Sequence, residues 1–595
     1  MTPATQTGAE NIRWNLSDLF NGLDDPQIEA TLTAASQKAQ EFVGKYKSKL
    51  SQLSPAEMYQ ALKDEELLIS PMYRLSQFVH LHTAADTADE KAKALEARVD
   101  EALSKISNQL VFFNLELGAM SEDEFARFDG APELEAFNYP IYQTRKNAKY
   151  NLSEKEEQIL ILKNLTSTRA NQKLYDELTS SFQFEFEMDG EVQHLNGAQL
   201  RSLRMHPDAD VRRRAMKLFF DRYEDNKLVI THLYNTIVKD FGLEQNLRGY
   251  KSPISVMNTH NDLEEEAVQA LIDVTTESYP LVQRYYKIKA QLLGLEDMTL
   301  ADIYAPMPQS AKGYNFDDAK SLVLDAFGSF DGQFQSLAKS MFDLNRVDAP
   351  VTPTKRGGAF CSSSTPDLKP YVLLNFTGKL RDVSTMAHEL GHAIHAMLGT
   401  SLNLSTYHAI LPLAETASVF SEMVLTDYFL KRETDNSAKQ ALLTGKLEDI
   451  FATSHRQNMF SRFEVAAHEK INQGLQSSSE LCSLYQAELK NMFGDAVQYP
   501  DEYTWEWSSI PHIFQVPFYV YAYNFGNLLV LALYQQYLEE GEAFIPKYKK
   551  FLSMGSSAKP TEITALVGAD ISDPEFWRKS LRYIEHLIDE LEETI

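Results

Sequence analysis

The sequence predicts a mainly α-helical protein, and three observations carry that expectation. Apolar residues recur at spacings of three and four through much of the 595-residue chain, which is the period of a helix with one buried face. Strand signals are few and local. No internal repeat or low-complexity tract interrupts the pattern. The composition, 44% hydrophobic and 24% charged with a formal net charge of 57 − 84 = −27, is that of a soluble, acidic, folded chain. At roughly 150 residues per domain the length allows three or four domain equivalents, which a large helical protein can merge around one cleft.

Taken in order, the first strong element is a long helix whose stripe is Leu95, Val99, Leu103, Ile106, Leu110 and Phe113. Phe182, Phe184 and Phe186 then alternate with Gln183, Glu185 and Glu187, and Asp189-Gly190 supplies a turn before Val192 and Leu195. That pattern is a β-hairpin. It closes an N-terminal helical lobe, residues 1–197, and leaves residues 198–595 as a second domain. Asp262 with Glu265 three positions on reads as a capping box, which makes Glu264, Glu265 and Glu266 the acidic first turn of a helix. A second strand pair is expected at residues 357–362 and 371–376, after the proline-containing connector 349–354. Asp382 is expected to open the next helix. Residues 515–537 are long enough to span a bilayer, but Gln515, Pro517, Asn524, Gly526, Asn527, Gln535 and Gln536 make them a buried helix with a polar face instead. Asp573 as N-cap and Pro574 in the first turn start a last helix striped with Trp577, Leu581, Ile584, Ile588 and Leu591.

The same composition excludes several function classes. No long basic run offers a phosphate-binding surface, so nucleic acid is not an expected partner. Only Cys361 and Cys482 occur, which leaves neither a disulfide framework nor a cysteine-built zinc finger and fits a reducing, cytoplasmic setting. The first 20 residues carry Glu10, Arg13 and Asp18 and lack the apolar core of a signal peptide. No membrane partner is expected, and the oligomeric state is not encoded in any motif.

The richest chemistry lies in Asp382-Val-Ser-Thr-Met-Ala-His388-Glu389-Leu-Gly-His392-Ala-Ile-His395, which contains His-Glu-x-x-His. On a helix, His388 and His392 lie on one face and can aim imidazole nitrogens at one metal ion. Glu389 lies about 100° round, where it can reach a water that the metal activates. The small residues Ala387, Gly391 and Ala393 allow close packing around such a site. Zinc chemistry needs this division of labour, with a carboxylate that is not a ligand taking the proton.

A third protein ligand is required. An arrangement with Gly at 395 and His at 398 is excluded, because these positions are His395 and Leu398. Glu415, three residues after Pro412 and early in an apparent helix, is the first carboxylate downstream and the preferred ligand. Glu422, one heptad on, can be the ligand instead or can orient His392. His395 and His408 also compete, although a lone His near such a site is more often a hydrogen-bonded packing residue.

Beyond this motif, the run from Asn375 to His392, the segment Glu415-Thr-Ala-Ser418, and the opening Asn11-Ile-Arg-Trp14-Asn-Leu-Ser-Asp18 resemble the oligoendopeptidase F family of thimet-oligopeptidase-like zinc metallopeptidases. Arg248-Gly-Tyr250, Arg356-Gly-Gly-Ala-Phe360, Arg456-Gln457 and Phe463-Glu464 are further landmarks. The resemblance covers essentially the whole chain. It implies a two-lobed helical metallopeptidase with a deep central channel, a small β-sheet beside the zinc site and oligopeptide substrates of limited length. It also implies one Zn2+ held by His388, His392 and Glu415, with Glu389 as general base and the strand around Gly358 and Ala359 pairing with substrate backbone. Phe360-Cys361 stands where Tyr-Ser is common in the family, which alters side-chain contacts there.

The segment Pro511-His512-Ile-Phe-Gln-Val-Pro517-Phe-Tyr519-Val-Tyr521-Ala-Tyr523 matches the region from which the family draws a His and one or more Tyr to hydrogen-bond the oxyanion. His512 and Tyr521 are the first choices, with Tyr519 and Tyr523 behind; packed aromatics on a buried helix are the alternative. Together these features lead us to expect a zinc-dependent endopeptidase acting on short peptides. Its rivals are a helical metallocarboxypeptidase, which needs a cationic pocket for a C-terminal carboxylate, and a catalytically silent peptide-binding protein.

Overall fold

Several helices in this chain begin where a side chain satisfies their first amides. In the computed structural model, which describes residues 7–307 and 313–595, Ser54 and Glu57 form a reciprocal box at the start of Pro55–Ala85. Asp89 caps Glu90–Ala119, and Asp573 caps Pro574–Glu592 by accepting from the Glu575 amide. Residues 1–6, part of the N-terminal stretch considered above for a signal peptide, lie outside the described residues. Asp262 departs from expectation. Its φ of 53° puts it in the left-handed region, and the helix begins later, at Glu265, with Glu264 as N-cap. A left-handed residue turns the chain before the helix, so it cannot serve as the half-helical cap.

Among the described residues the fold is mainly helical with two small sheets. Strands β1 (Gln183–Met188) and β2 (Glu191–Asn196) form the expected hairpin, with Met188 paired to Glu191 across Asp189 and Gly190. Both turn residues have positive φ, 56° and 81°, as a two-residue primed turn requires. The second sheet has the order β3-β5-β4, with β3 Val347–Asp348, β4 Phe360–Ser362 and β5 Tyr371–Leu373. Strand β4 runs antiparallel to β5, and β3 adds in parallel. At two residues, β3 is too short to leave an alternation signal in the sequence.

Contacts divide the chain into two compact units, each assembled from separated segments, whereas the sequence expectation is a single cut after residue 197. The first takes Met1–Lys149, Ala311–Arg432 and Tyr537–Ala569. Its N-terminal helices Pro26–Tyr46, Pro55–Ala85 and Glu90–Ala119 pack together around Phe42, Met72, Leu75, Phe78, Val99 and Phe113. Gln77 from this bundle donates to the Ser362 carbonyl at 2.9 Å and accepts from the Ser364 hydroxyl at 2.6 Å, which ties strand β4 to the bundle.

The second unit takes Tyr150–Ser310, Glu433–Gln536 and Asp570–Ile595. Its centre includes residues 521–536 of the helix Tyr521–Glu540, where Phe525 and every residue from Leu528 to Leu533 are buried. The C-terminal helix lies against it through Trp577 on Phe525 and Tyr583 on Tyr534. This is the buried helix expected from the polar residues of 515–537. Among the described residues no helix is long and apolar enough to cross a membrane.

Candidate metal centre

The helix Leu380–Leu398 carries the His-Glu-x-x-His motif and buries Val383, Met386, Leu390, Ile394 and Met397. Its start differs from expectation. Lys379 is the N-cap and Asp382 sits at the third helical position, where its carboxylate accepts from the Lys379 amide at 3.1 Å and from the Thr377 amide and hydroxyl at 2.7 Å. One acceptor thus serves three donors at the helix entrance.

Across from it runs the helix Thr416–Leu430, and Gly391 is what lets the two approach. A Cβ on Gly391 would lie 2.6 Å from both the Ala417 carbonyl and the Ser418 Cα, and 2.7 Å from the Ser421 hydroxyl. Glu415 stands in the break between Leu411–Ala414 and Thr416–Leu430 rather than inside a continuous helix. The break directs its carboxylate at the motif helix.

The result is a convergent donor set. Nε2 of His388 lies 3.3 Å from Oε2 of Glu415, and Nε2 of His392 lies 3.2 Å from the same oxygen. Donor atoms of these three residues all fall within 4.8 Å of one another, the group of this kind found among the described residues. The Ser418 hydroxyl donates to Glu415 Oε2 at 2.8 Å and holds the carboxylate in place. Nδ1 of His388 meets Oε1 of Glu422 at 2.6 Å. Glu422 therefore orients His388, not His392 as expected.

Charge follows geometry. Burial lowers the affinity of His388 for a proton, but the Glu415 and Glu422 carboxylates outweigh it and push its pKa up to about 10. For Glu415, burial raises the pKa and the two imidazoles more than reverse it, so the carboxyl lies far below the usual range. Glu389, only 6% exposed, is raised chiefly by burial. It lines a cavity of about 440 Å³ with Ala359, Cys361, His392, Tyr407 and His408.

His395 hydrogen-bonds the Ala414 backbone, and burial lowers it to about 4. His408, likewise lowered by burial, bonds the Ser364 backbone. Both are packing histidines in the wall. Gly358 and Ala359 precede β4 rather than forming part of it; Gly358 has φ 81° and its carbonyl accepts from Asn375 Nδ2 at 2.8 Å. Strand β4 itself is an edge of its sheet.

In the second unit His512, Tyr519 and Tyr523 form a cluster of their own. The rings of His512 and Tyr519 are nearly parallel at 6.1 Å, the Tyr523 hydroxyl is 3.5 Å from His512 Nε2, and the two tyrosine rings meet edge-on at 5.1 Å. Tyr521 is not among them. It is fully buried, and its hydroxyl accepts from Asn261 Nδ2 at 3.0 Å. Tyr519 lies in the turn that precedes the helix Tyr521–Glu540 and Tyr523 in the first turn of that helix, so the turn brings their rings together while Tyr521 points into the core. Ser418, Asn261 and the Glu422–His388 pairing had no signal beyond residue type.

A family model described as peptidase family M3 matches residues 202–583. The chain belongs to peptidase family M3. A second model, described as Oligopeptidase F, matches residues 116–184 of this M3 peptidase. Oligopeptidase PepF of Bacillus subtilis (strain 168) is 27% identical over 592 residues, spanning 98% of this chain and 87% of the relative. An oligoendopeptidase F homolog of Borreliella burgdorferi is 27% identical over 578 residues, 95% of each. The fold matches a solved structure from Chlamydophila abortus with a TM-score of 0.88 at 24% identity over 98% of both chains. It also matches oligoendopeptidase-F from Enterococcus faecium, with a TM-score of 0.71 at 24% identity over 96% of this chain and 98% of that one. The family resemblance and the mainly helical fold expected from the sequence are thereby borne out.

Proposed function

We propose that this M3 peptidase is a zinc-dependent endopeptidase that hydrolyses internal bonds of short, unstructured oligopeptides. The observation that carries the proposal is the convergence of His388, His392 and Glu415 beside the buried Glu389. Two imidazole nitrogens and one carboxylate oxygen suit zinc, whereas calcium and magnesium prefer oxygen donors throughout. A bound zinc ion supplies Lewis acidity, lowering the pKa of water and polarising a carbonyl.

The protein's own residues do the rest. His388 and His392 present Nε2, and the Glu422 carboxylate fixes the His388 tautomer by accepting its Nδ1 proton. Burial raises the pKa of Glu389, the direction that strengthens a carboxylate as a base. Glu389 takes a proton from the attacking water and returns it to the leaving amine. Backbone donors and acceptors at the β4 edge, with Gly358 and Ala359 leading into it, pair with an extended peptide.

His512, Tyr519 and Tyr523 are the donors we assign to the carbonyl oxygen as it gains charge. Tyr521 instead holds its helix to Asn261. The setting we propose is a reducing, cytoplasmic one, in keeping with a chain that carries two cysteines in 595 residues. The test is a digest of peptides of mixed length, each blocked at both ends, read by mass spectrometry. Internal cleavage supports an endopeptidase. Blocked peptides left intact while free C-termini are trimmed would favour a carboxypeptidase, and no product with no bound zinc would favour a silent peptide binder.

A further inference from the structure

Tyr519 and Tyr523 can meet His512 only if the chain between the helices Pro511–Gln515 and Tyr521–Glu540 holds one register. That connection contains an unfavourable residue. Phe518 has φ 61°, in the left-handed region that a bulky side chain avoids. Around it, the Tyr519 amide donates to the Val516 carbonyl at 3.2 Å and the Tyr519 carbonyl accepts from the Ala522 amide at 3.1 Å. The first of these bonds closes a β-turn with Pro517 and Phe518 at its centre, where a positive φ calls for glycine, so Phe518 needs further support to hold that conformation.

That support comes from a helix distant in sequence. Oε1 of Glu464, on Arg456–Gln473, accepts from the Phe518 amide at 2.9 Å. Glu464 is completely buried, and among the described residues its Oε2 has no hydrogen-bond partner. Its neighbour one turn on, His468, packs its ring 4.4 Å from the Phe518 ring, and Phe241 completes the cluster at 6.0 Å from Phe518 and 5.5 Å from His468. A buried carboxyl with no cation beside it is unfavourable for folding. Burial accordingly raises its pKa to about 8, so near neutrality it is largely the uncharged acid and its acceptor oxygen binds one backbone amide.

We propose that Glu464 is a positioning residue for the hydrolytic reaction: by gripping the Phe518 amide it holds the left-handed turn that aims Tyr519 and Tyr523 toward His512. The inference rests on assigning those tyrosines to the oxyanion. Glutamine keeps a carbonyl acceptor at this point, whereas methionine keeps the volume and removes the acceptor.

The experiment compares kcat and KM of Glu464→Met and Glu464→Gln on an end-blocked peptide, in the wild-type background and with Tyr519→Phe and Tyr523→Phe together. Zinc content and circular dichroism are measured on each. Glu464→Met is expected to lower kcat by about 10–100-fold with KM within about threefold, as misplacement of a catalytic donor does. Glu464→Gln is expected to recover most of that loss. In the background lacking both hydroxyls, Glu464→Met should cost less than about threefold, because the groups it positions are already gone. Native kcat in Glu464→Met, no recovery by glutamine, or a full further loss without the hydroxyls would each overturn the inference. If Tyr519→Phe with Tyr523→Phe turns over normally, the oxyanion assignment falls and this inference with it; crippled tyrosine variants beside an indifferent Glu464 overturn the inference alone. Should Glu464→Met not fold, Phe518→Pro replaces it, because proline offers no amide for Glu464 to grip and cannot take a positive φ; its expected loss in kcat is of the same size, and an unchanged kcat overturns the proposal.

Discussion

At the scale of single residues, bonding partners separate roles that residue type alone leaves open. Glu389, raised by burial and outside the convergent donor set, can be changed without dismantling that set. Glu389→Gln is expected to keep stoichiometric zinc while kcat falls by about 10²–10⁴-fold; near-native turnover in a zinc-loaded variant would remove it as the base. Glu415 and Glu422 differ in the opposite way. Glu415→Ala deletes a donor, whereas Glu422→Ala leaves all three and only releases the His388 ring, a loss of about 10–100-fold in metal affinity. Competition with a chelator ranks the two variants, and the reverse order would make Glu422 the ligand. The tyrosines divide similarly. Tyr523→Phe is expected to lower kcat by about 10²–10³-fold, while Tyr521→Phe strands the Asn261 amide and costs about 1–3 kcal/mol of stability with little effect on turnover. The convergence of His388, His392 and Glu415 was legible because four-residue helical spacing puts the two histidines on one face and Glu415 is the first carboxylate downstream. The partner of Glu422 was not, because which histidine a carboxylate meets depends on the angle between two helices.

Two helices meeting at a glycine set the geometry at the next scale. Gly391→Ala would put a methyl 2.6 Å from the Ala417 carbonyl and the Ser418 Cα, both backbone atoms that cannot swing aside. It is expected to cost about 1–3 kcal/mol and to weaken zinc binding by moving Glu415 and Ser418 away from the histidines. Calorimetry and metal titration of the variant check both, and native values in each would mean the helices can separate without consequence. Glu464 makes a second prediction at this scale. Its pKa is raised by burial from 4.5 to about 8, so between those values the folded state holds a proton that the unfolded state has lost. Stability falls as pH rises through that window. Denaturation midpoints of wild type and Glu464→Met across pH 5–8 should therefore diverge, with the shallower pH dependence in the variant. Parallel curves would mean that Glu464 is ionised in the fold. Element starts were legible where an acceptor side chain stood at the N-cap, as at Asp573. They were missed where it stood elsewhere, since Asp262 adopts a left-handed turn and Asp382 caps from the third position.

Over the whole molecule, the helical class and the family were legible from periodicity and from motifs spread along the chain. The assembly of each compact unit from three separate segments was not. Helices adjacent in space but hundreds of residues apart, such as Glu265–Glu277 and Pro574–Glu592, joined by the Arg578–Glu277 ion pair, leave no local trace in a single sequence. A metal that binds the folded state alone should also stabilise the molecule. Zinc at 100 times its dissociation constant contributes about 2.7 kcal/mol, so chelation is expected to lower the midpoint of thermal unfolding, and an unchanged midpoint would argue against tight binding by the fold. The most direct test of the central claim is a zinc titration of chelator-stripped protein, read as internal cleavage of an oligopeptide blocked at both ends. Activity is expected to be near zero without zinc and to rise linearly to a break at one equivalent. Undiminished cleavage by the stripped protein, or an intact blocked peptide at every zinc concentration, would contradict it.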